Sequence, residues 1–315
     1  MKTKITRLLL SAVLMMCCMT ASAQVGTQPS GAGTSDNPYQ IATLDNLLWF
    51  ADYVNQGNVS ACAILMDDIT MNDGVLDSYG DLNSGSFDAW TPIGGHGVDY
   101  SGEFDGNGHT ISGLYFKNTE TNNVGLFGKT ASEAYIHDLG VKDSYFYGNS
   151  WVGGICGDFA SGRIENCWNG ATVIANGNDA GGICGSCWQY ATIANCYNIG
   201  DVSLIQGKDA ELKDKFGGIC GTVSYNASAS YSIDNCYTLM HRSMPKDDAT
   251  DPYEGLPYLD LNSDKIYGVL DGDAKVHDSY VKKAEAFAGG EVCYRLNHGV
   301  TDGSQKWFQT LGSDL

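Results

Sequence analysis

Basic residues are scarce in this chain. Eighteen Lys and Arg stand against 37 Asp and Glu over 315 residues, a formal charge of −19. A surface of that sign repels phosphate backbones, which argues against nucleic acid as a partner. Long apolar runs are also missing: residues 8–19 form the only sizeable one, too short to cross a bilayer, so no membrane span is expected. The six histidines (His96, His109, His137, His241, His277 and His298) include no His-Glu-x-x-His pair, the signature a zinc peptidase would need. Proline is rare, at six, and three of them (Pro245, Pro252 and Pro257) fall in one charged stretch near the end.

What is present begins with a removable segment. Lys2, Lys4 and Arg7 precede the apolar run, and Ala21-Ser22-Ala23 supplies small residues for cleavage before Gln24. Residues 1–23 read as a secretory signal. A lipoprotein anchor at Cys17 or Cys18, with Leu14 upstream, is disfavoured because Met15 and Met16 are bulky where small residues are wanted. The mature chain then carries 15 basic and 37 acidic residues, a charge of −22. Its nine remaining cysteines are odd in number, so at least one thiol is unpaired within the chain.

Glycine, at 40 residues, is abundant and patterned. Gly153-Gly154-Ile155-Cys156-Gly157 recurs at residues 181–185 and 217–221. Each copy is followed by a second phrase: Ile164-Glu165-Asn166-Cys167-Trp168, Ile193-Ala194-Asn195-Cys196-Tyr197 and Ile233-Asp234-Asn235-Cys236-Tyr237. A fainter copy precedes them, Val124 to Gly128 and then Ile136-His137-Asp138-Leu139-Gly140. Self-similarity at this period is the mark of an all-β solenoid, in which each unit buries its apolar side by stacking on the next.

Matching positions should pile into ladders. Cys156, Cys184 and Cys220 form one set, Cys167, Cys196 and Cys236 a second, and Asn166, Asn195 and Asn235 a third. Reduced thiols in an apolar core are favoured over a disulfide framework, because the spacing follows the repeat. The glycine pairs suggest corners with positive φ. Trp168, Tyr197 and Tyr237 should form an aromatic row. A chain that turns at the asparagine puts the cysteines inside and the aromatics outside, as a candidate binding strip. Strict strand alternation puts the aromatics in the core.

Around this body, residues 24–36 read as a flexible Gly/Ser/Thr leader and 37–122 as an N-terminal cap with the first coils. Within the latter, a helix is expected from Leu44 to Asn55, with Thr43 as N-cap and Gly57 beyond its end. Residues 72–89 look like a projecting loop. Asp105-Gly106-Asn107-Gly108 reads as a tight turn between two strands. The repeats occupy 123–241, with an insertion at 206–215, and 242–315 reads as an irregular C-terminal cap with a short helix near 281–297.

The alternation of Val-Gly-Gly-Ile-Cys-Gly with Ile-x-Asn-Cys-Tyr-x-x-Gly-x-Val (Ile193 to Val202) resembles the GLUG repeat of bacterial surface proteins. Asp36 to Ile41, Trp90 to Gly94 and Gly102 to Ile111 are similar to the lead-in of such arrays, and Glu291 to Asn297 to a segment found after them in gut Bacteroidetes surface proteins. The resemblance implies a right-handed parallel β-helix, secreted or displayed at the cell surface. It supplies no catalytic residues. Adhesin-like proteins and the non-catalytic parts of immunoglobulin A peptidases are among the members.

Other chemistry is thinly marked. Cys184-Gly185-Ser186-Cys187 has redox or metal spacing but no partner pair, and Cys184 already belongs to a ladder. Asp99, Glu103 and Asp105 could cluster as the carboxylates of a lyase or hydrolase, and Asp271 with Asp273 could hold calcium, the one cofactor with candidate donors. Turn formation explains most such Asp and Asn equally well. The expected function is that of an exported, non-catalytic binding or adhesion protein, with host glycan or protein as partner. A carbohydrate-active enzyme and a structural stalk are the alternatives.

Overall fold

The computed structural model describes residues 26–95, 97–131, 133–188, 190–205, 216–223 and 232–240, with the backbone of four short strands between 259 and 283. The expected helix near 281–297, the insertion at 206–215 and Asp271 with Asp273 lie wholly or largely outside them.

Each clear repeat lays down four or five short strands. In the first clear copy these are Val152–Gly153, Cys156–Phe159, Gly162–Glu165 and Trp168–Ala175. The next copy sets its own strands beside them, parallel and in register: Val152 faces Ala180, Cys156 faces Cys184, Ile164 faces Ile193 and Trp168 faces Tyr197. The three clear repeats visit four sheets in the same order, earlier passes use fewer of them, and the sheets hold eight, three, five and ten strands. The described residues are thus mostly parallel β-sheet with one helix. Leu259–Asp260, antiparallel to Val202–Ile205, is an exception.

Apolar lanes hold the passes together. One lane runs Ala63, Phe104, Ile136, Ile164, Ile193 and Ile233, residue facing residue. All six are buried, and side chains from all four sheets meet in one apolar cluster. Each buried Ile or Phe contributes roughly 1.5–3 kcal/mol over its exposed state.

The glycine pairs do not serve as positive-φ corners, as the sequence suggested. Positive φ falls instead on Asp138, Asn166, Asn195 and Asn235, each at 53°. Gly154 and Gly182 are required by close approach. A Cβ at Gly154 would lie 2.0 Å from Asn169 Oδ1, and one at Gly182 would lie 2.2 Å from the Gly218 carbonyl of the next pass.

The helix spans Leu44–Asn55, as expected, and Thr43 Oγ1 accepts from Asn46 N at 3.3 Å. Leu47, Phe50, Ala51 and Val54 are buried, and the Phe50 ring meets those of Tyr100 and Phe104. Residues 26–36, expected as a flexible leader, are tied down instead. Thr27 N donates to Asp45 O, Cys62 N to Gly33 O, and Ser30 pairs with Gln40. The projecting loop is likewise corrected: Val75 is buried with Tyr145, Ile174 and Ile205, and Thr172 Oγ1 donates to Gly80 O at 2.6 Å. The Asp105 to Gly108 turn joins Glu103–Asp105 to Thr110–Ser112, strands of two different sheets.

The stack also outruns the repeat phrases. Tyr267–Leu270 pairs with Cys220–Val223, Lys275–His277 with Ser232–Asp234, and Tyr280–Lys283 with Tyr237–Met240, all parallel. Over these segments the expectation of an irregular C-terminal cap from residue 242 gives way to another pass. Main-chain pairing onto an existing edge needs no copy of the side-chain phrase.

Candidate functional site

The corner at Asp138, Asn166, Asn195 and Asn235 decides which side chains face out. Asn and Asp tolerate left-handed backbone better than other side-chain residues. With the chain turning there, the Ile two residues before and the Cys one residue after both point inward. Cys167, Cys196 and Cys236 are fully buried, and the amides of Cys167 and Cys196 reach the sulfur of the next pass at 3.4 Å. Cys156, Cys184 and Cys220 form the second row, with Cys184 and Cys220 sulfurs 3.5 Å apart. These cysteines are thiols rather than disulfides, and burial pushes those of Cys156, Cys167, Cys184, Cys220 and Cys236 well up. Cys187 is buried on the same strand as Cys184, with no helix terminus beside it, so the Cys-x-x-Cys spacing belongs to the core.

The asparagine ladder is only partly continuous. Asn235 Nδ2 donates to Asn195 Oδ1 at 2.7 Å, but Asn195 turns to Glu165 Oε1 at 3.4 Å and Asn166 to Asp138 Oδ1 at 2.9 Å. A second, fully buried polar row was missed. Asn169 donates to Asn198 Oδ1 at 2.8 Å and Asn198 to Thr238 Oγ1 at 3.3 Å. Its signal was present, since Asn169, Asn198 and Thr238 each follow the aromatic of the second phrase.

Trp168, Tyr197 and Tyr237 stand half-buried outside the core, ring centroids 5.7 and 5.0 Å apart and planes within 3°. Stacked this closely, the rings cover one another's faces, so mid-row they offer edges and hydroxyls but no face for a sugar. At the Trp168 end the row meets no further ring. There the strand partner of Trp168 is Gly140, and the indole lies over it, where a Cβ would come within 2.4 Å of the ring.

Beside that end lies a cleft of about 390 Å³, lined by Asp105, Asn107, Gly108, Asp138, Leu139, Gly140, Asn166 and Trp168. His137 sits at its edge, nearly buried. Its Nδ1 is 2.7 Å from Asp138 Oδ2 and 3.6 Å from Asp105 Oδ1, and its Nε2 is 3.3 Å from Glu103 Oε1. Tyr135 stacks on the imidazole at 4.1 Å, and its hydroxyl donates to Glu165 Oε2 at 3.1 Å. Arg163 holds both oxygens of Glu165 at 2.7 Å. Burial, followed by the charge of Glu165, pushes the Tyr135 phenol up. Of the three acidic residues suspected from sequence, Glu103 and Asp105 meet at His137, while Asp99 pairs with Lys129 at 3.4 Å.

No family model matches this chain. It is 32% identical over 163 residues to halomucin of Haloquadratum walsbyi, covering 49% of this chain and 2% of that protein. It is 30% identical over 115 residues to a candidate Gly-rich membrane protein of Evansella cellulosilytica, covering 36% of this chain and 12% of that one. The chain therefore spans a small fraction of either relative. Among solved structures, it is similar to a candidate immunoglobulin A1 protease from Bacteroides ovatus, with a TM-score of 0.50 and 19% identity, over 85% of this chain and 91% of that one. That likeness is one of fold.

Proposed function

We propose that this chain is an exported, surface-associated binding protein whose GLUG-type repeats wind into a closed, right-handed parallel β-helix. One core shared by four sheets, which the three clear repeats visit in constant order, supports the winding. The kinds of protein it is similar to, a halomucin and a Gly-rich membrane protein, support the surface assignment. No helix among the described residues is long and apolar enough to cross a membrane.

The observation that carries the binding reading is the cleft at the Trp168 end of the aromatic row. An indole flanked by Asp105, Asp138 and Asn166 offers an apolar platform and several hydrogen-bonding groups, the combination that holds a sugar ring. A cleft of about 390 Å³ suits a terminal mono- or disaccharide better than a long chain. The partner is then a host glycan, free or carried on a protein.

The two carboxylates converging on the cleft favour one rival, a carbohydrate-active enzyme. A glycan array with wild-type protein and Trp168→Ala, run beside a polysaccharide-degradation assay, separates the readings. Binding that is lost in Trp168→Ala without product release supports recognition. Product release from a polyuronide supports the enzyme, and silence in both assays supports a structural stalk.

A further inference from the structure

The side chains around His137 carry chemistry that sugar recognition does not require. Nδ1 of His137 and one oxygen each of Asp105 and Asp138 lie within 4.8 Å of one another. With both carboxyls ionised, these three lone-pair-bearing atoms have at most one proton among them. In the metal-free protein the 2.7 Å contact is an Nδ1–H bond donated to Asp138 Oδ2, and a metal would take the place of that proton, with Glu103, 3.3 Å from Nε2, accepting the proton on the other nitrogen. We propose that Asp105, His137 and Asp138 form a divalent-cation site of the zinc class, open to the Trp168 cleft.

Four features fit a metal. Imidazole nitrogen and carboxylate oxygen are both donors that zinc accepts, and three protein ligands leave the fourth position to water, as in open zinc sites. Bonds of about 2.0–2.1 Å at tetrahedral angles put ligand atoms about 3.3 Å apart. The observed 2.7 and 3.6 Å bracket that separation. The outer groups are also in place. Glu103 backs the imidazole, Asn166 donates to Asp138 Oδ1 at 2.9 Å, Asn107 N donates to Asp105 Oδ1 at 2.7 Å, and Tyr135 fixes the ring plane. Finally, an imidazole donor argues against calcium, which takes oxygen ligands.

The set occurs once among the described passes. In the lane of His137 the later passes place Glu165, Ala194 and Asp234. At the corner of Asp138 they place Asn166, Asn195 and Asn235, with the same φ. The faint first copy of the repeat therefore departs from its siblings at two adjacent positions, and both departures supply metal ligands.

This site stands apart from the glycan reading, because an ion can bind with no sugar present. Isothermal titration of the full mature chain, stripped with EDTA, with zinc, manganese and calcium chlorides tests it. One equivalent of zinc should bind, at least tenfold more tightly than calcium. Asp138→Asn and His137→Ala install residues the chain already uses in those lanes. Each should weaken zinc at least tenfold with an unchanged far-ultraviolet circular dichroism spectrum, and should His137→Ala unfold, Asp138→Asn decides. Zinc-edge X-ray absorption should show nitrogen and oxygen neighbours without sulfur. Absence of zinc binding, affinity undiminished in Asp138→Asn, calcium binding as tight as zinc, or sulfur in the first shell, which would place the ion on the cysteines, overturns the proposal.

Discussion

Asp158 lies buried under Ser186, whose hydroxyl donates to it at 2.7 Å, and burial pushes its carboxyl above the ordinary range. Asp68 is the opposite case: it accepts from Thr110 N at 2.8 Å, and that bond holds its carboxyl down. The signs follow by linkage. The cost of ionised Asp158 is present above its folded-state value and is relieved as pH falls through it. The contribution of Asp68 is present above the unfolded-chain value and is lost as pH falls through its lower folded one. A carboxyl-carbon NMR titration should therefore find Asp158 with the higher midpoint and Asp68 with the lower, and the reverse order would contradict these environments. The ladder thiols invite a second check. Cys156, Cys167, Cys184, Cys196, Cys220 and Cys236 are fully buried, so mass spectrometry should find them unalkylated by iodoacetamide in the native protein and labelled after denaturation. Both cysteine rows were legible because each sits in its own repeated phrase. The His137 cluster was not, because it lies in the copy that departs from the phrase, and its members come from two passes.

At the scale of the element, the unit of stability is the corner where a glycine between two strands meets an asparagine of another strand. Asn198 bridges its own turn, donating to Gly200 O at 2.9 Å and accepting from Gly200 N at 3.2 Å, and it also accepts from Asn169. Asn198→Ala leaves these buried groups unpaired and should cost about 1–3 kcal/mol in urea denaturation. Gly182→Ala forces a methyl to within 2.3 Å of Asn198 Cγ. Overpacking of that kind should cost a further ~1–3 kcal/mol, and a neutral result for both variants would mean the rows are not packed as described. Sequence reading found the glycines and misjudged their use. Periodicity shows where a small residue recurs, but not whether φ or a neighbouring pass demands it. The helix Leu44–Asn55 was read to the residue because its cap and apolar face are local signals. The folding back of residues 72–89 was not, since it depends on Tyr145, Ile174 and Ile205 far along the chain.

For the whole molecule, the helix covers the start of the stack, and parallel pairing carries the stack as far as Tyr280–Lys283. An uncovered strand edge templates pairing with another chain. Deleting residues 26–57 exposes the side of the first pass that Phe50 and Leu47 now cover, and light scattering should report more self-association than for the undeleted chain. The general plan was legible because repetition exposes it. The location of the cleft was not, because it lies where repetition stops: Gly140 holds the place that Trp168, Tyr197 and Tyr237 take in later passes. The measurement that bears most directly on the account is hydrogen exchange with and without the best-binding oligosaccharide from the array. Protection confined to segments 105–108, 138–140 and 166–168 is the predicted result. Protection spread along the mid-row tyrosines, or centred on another face, would contradict it.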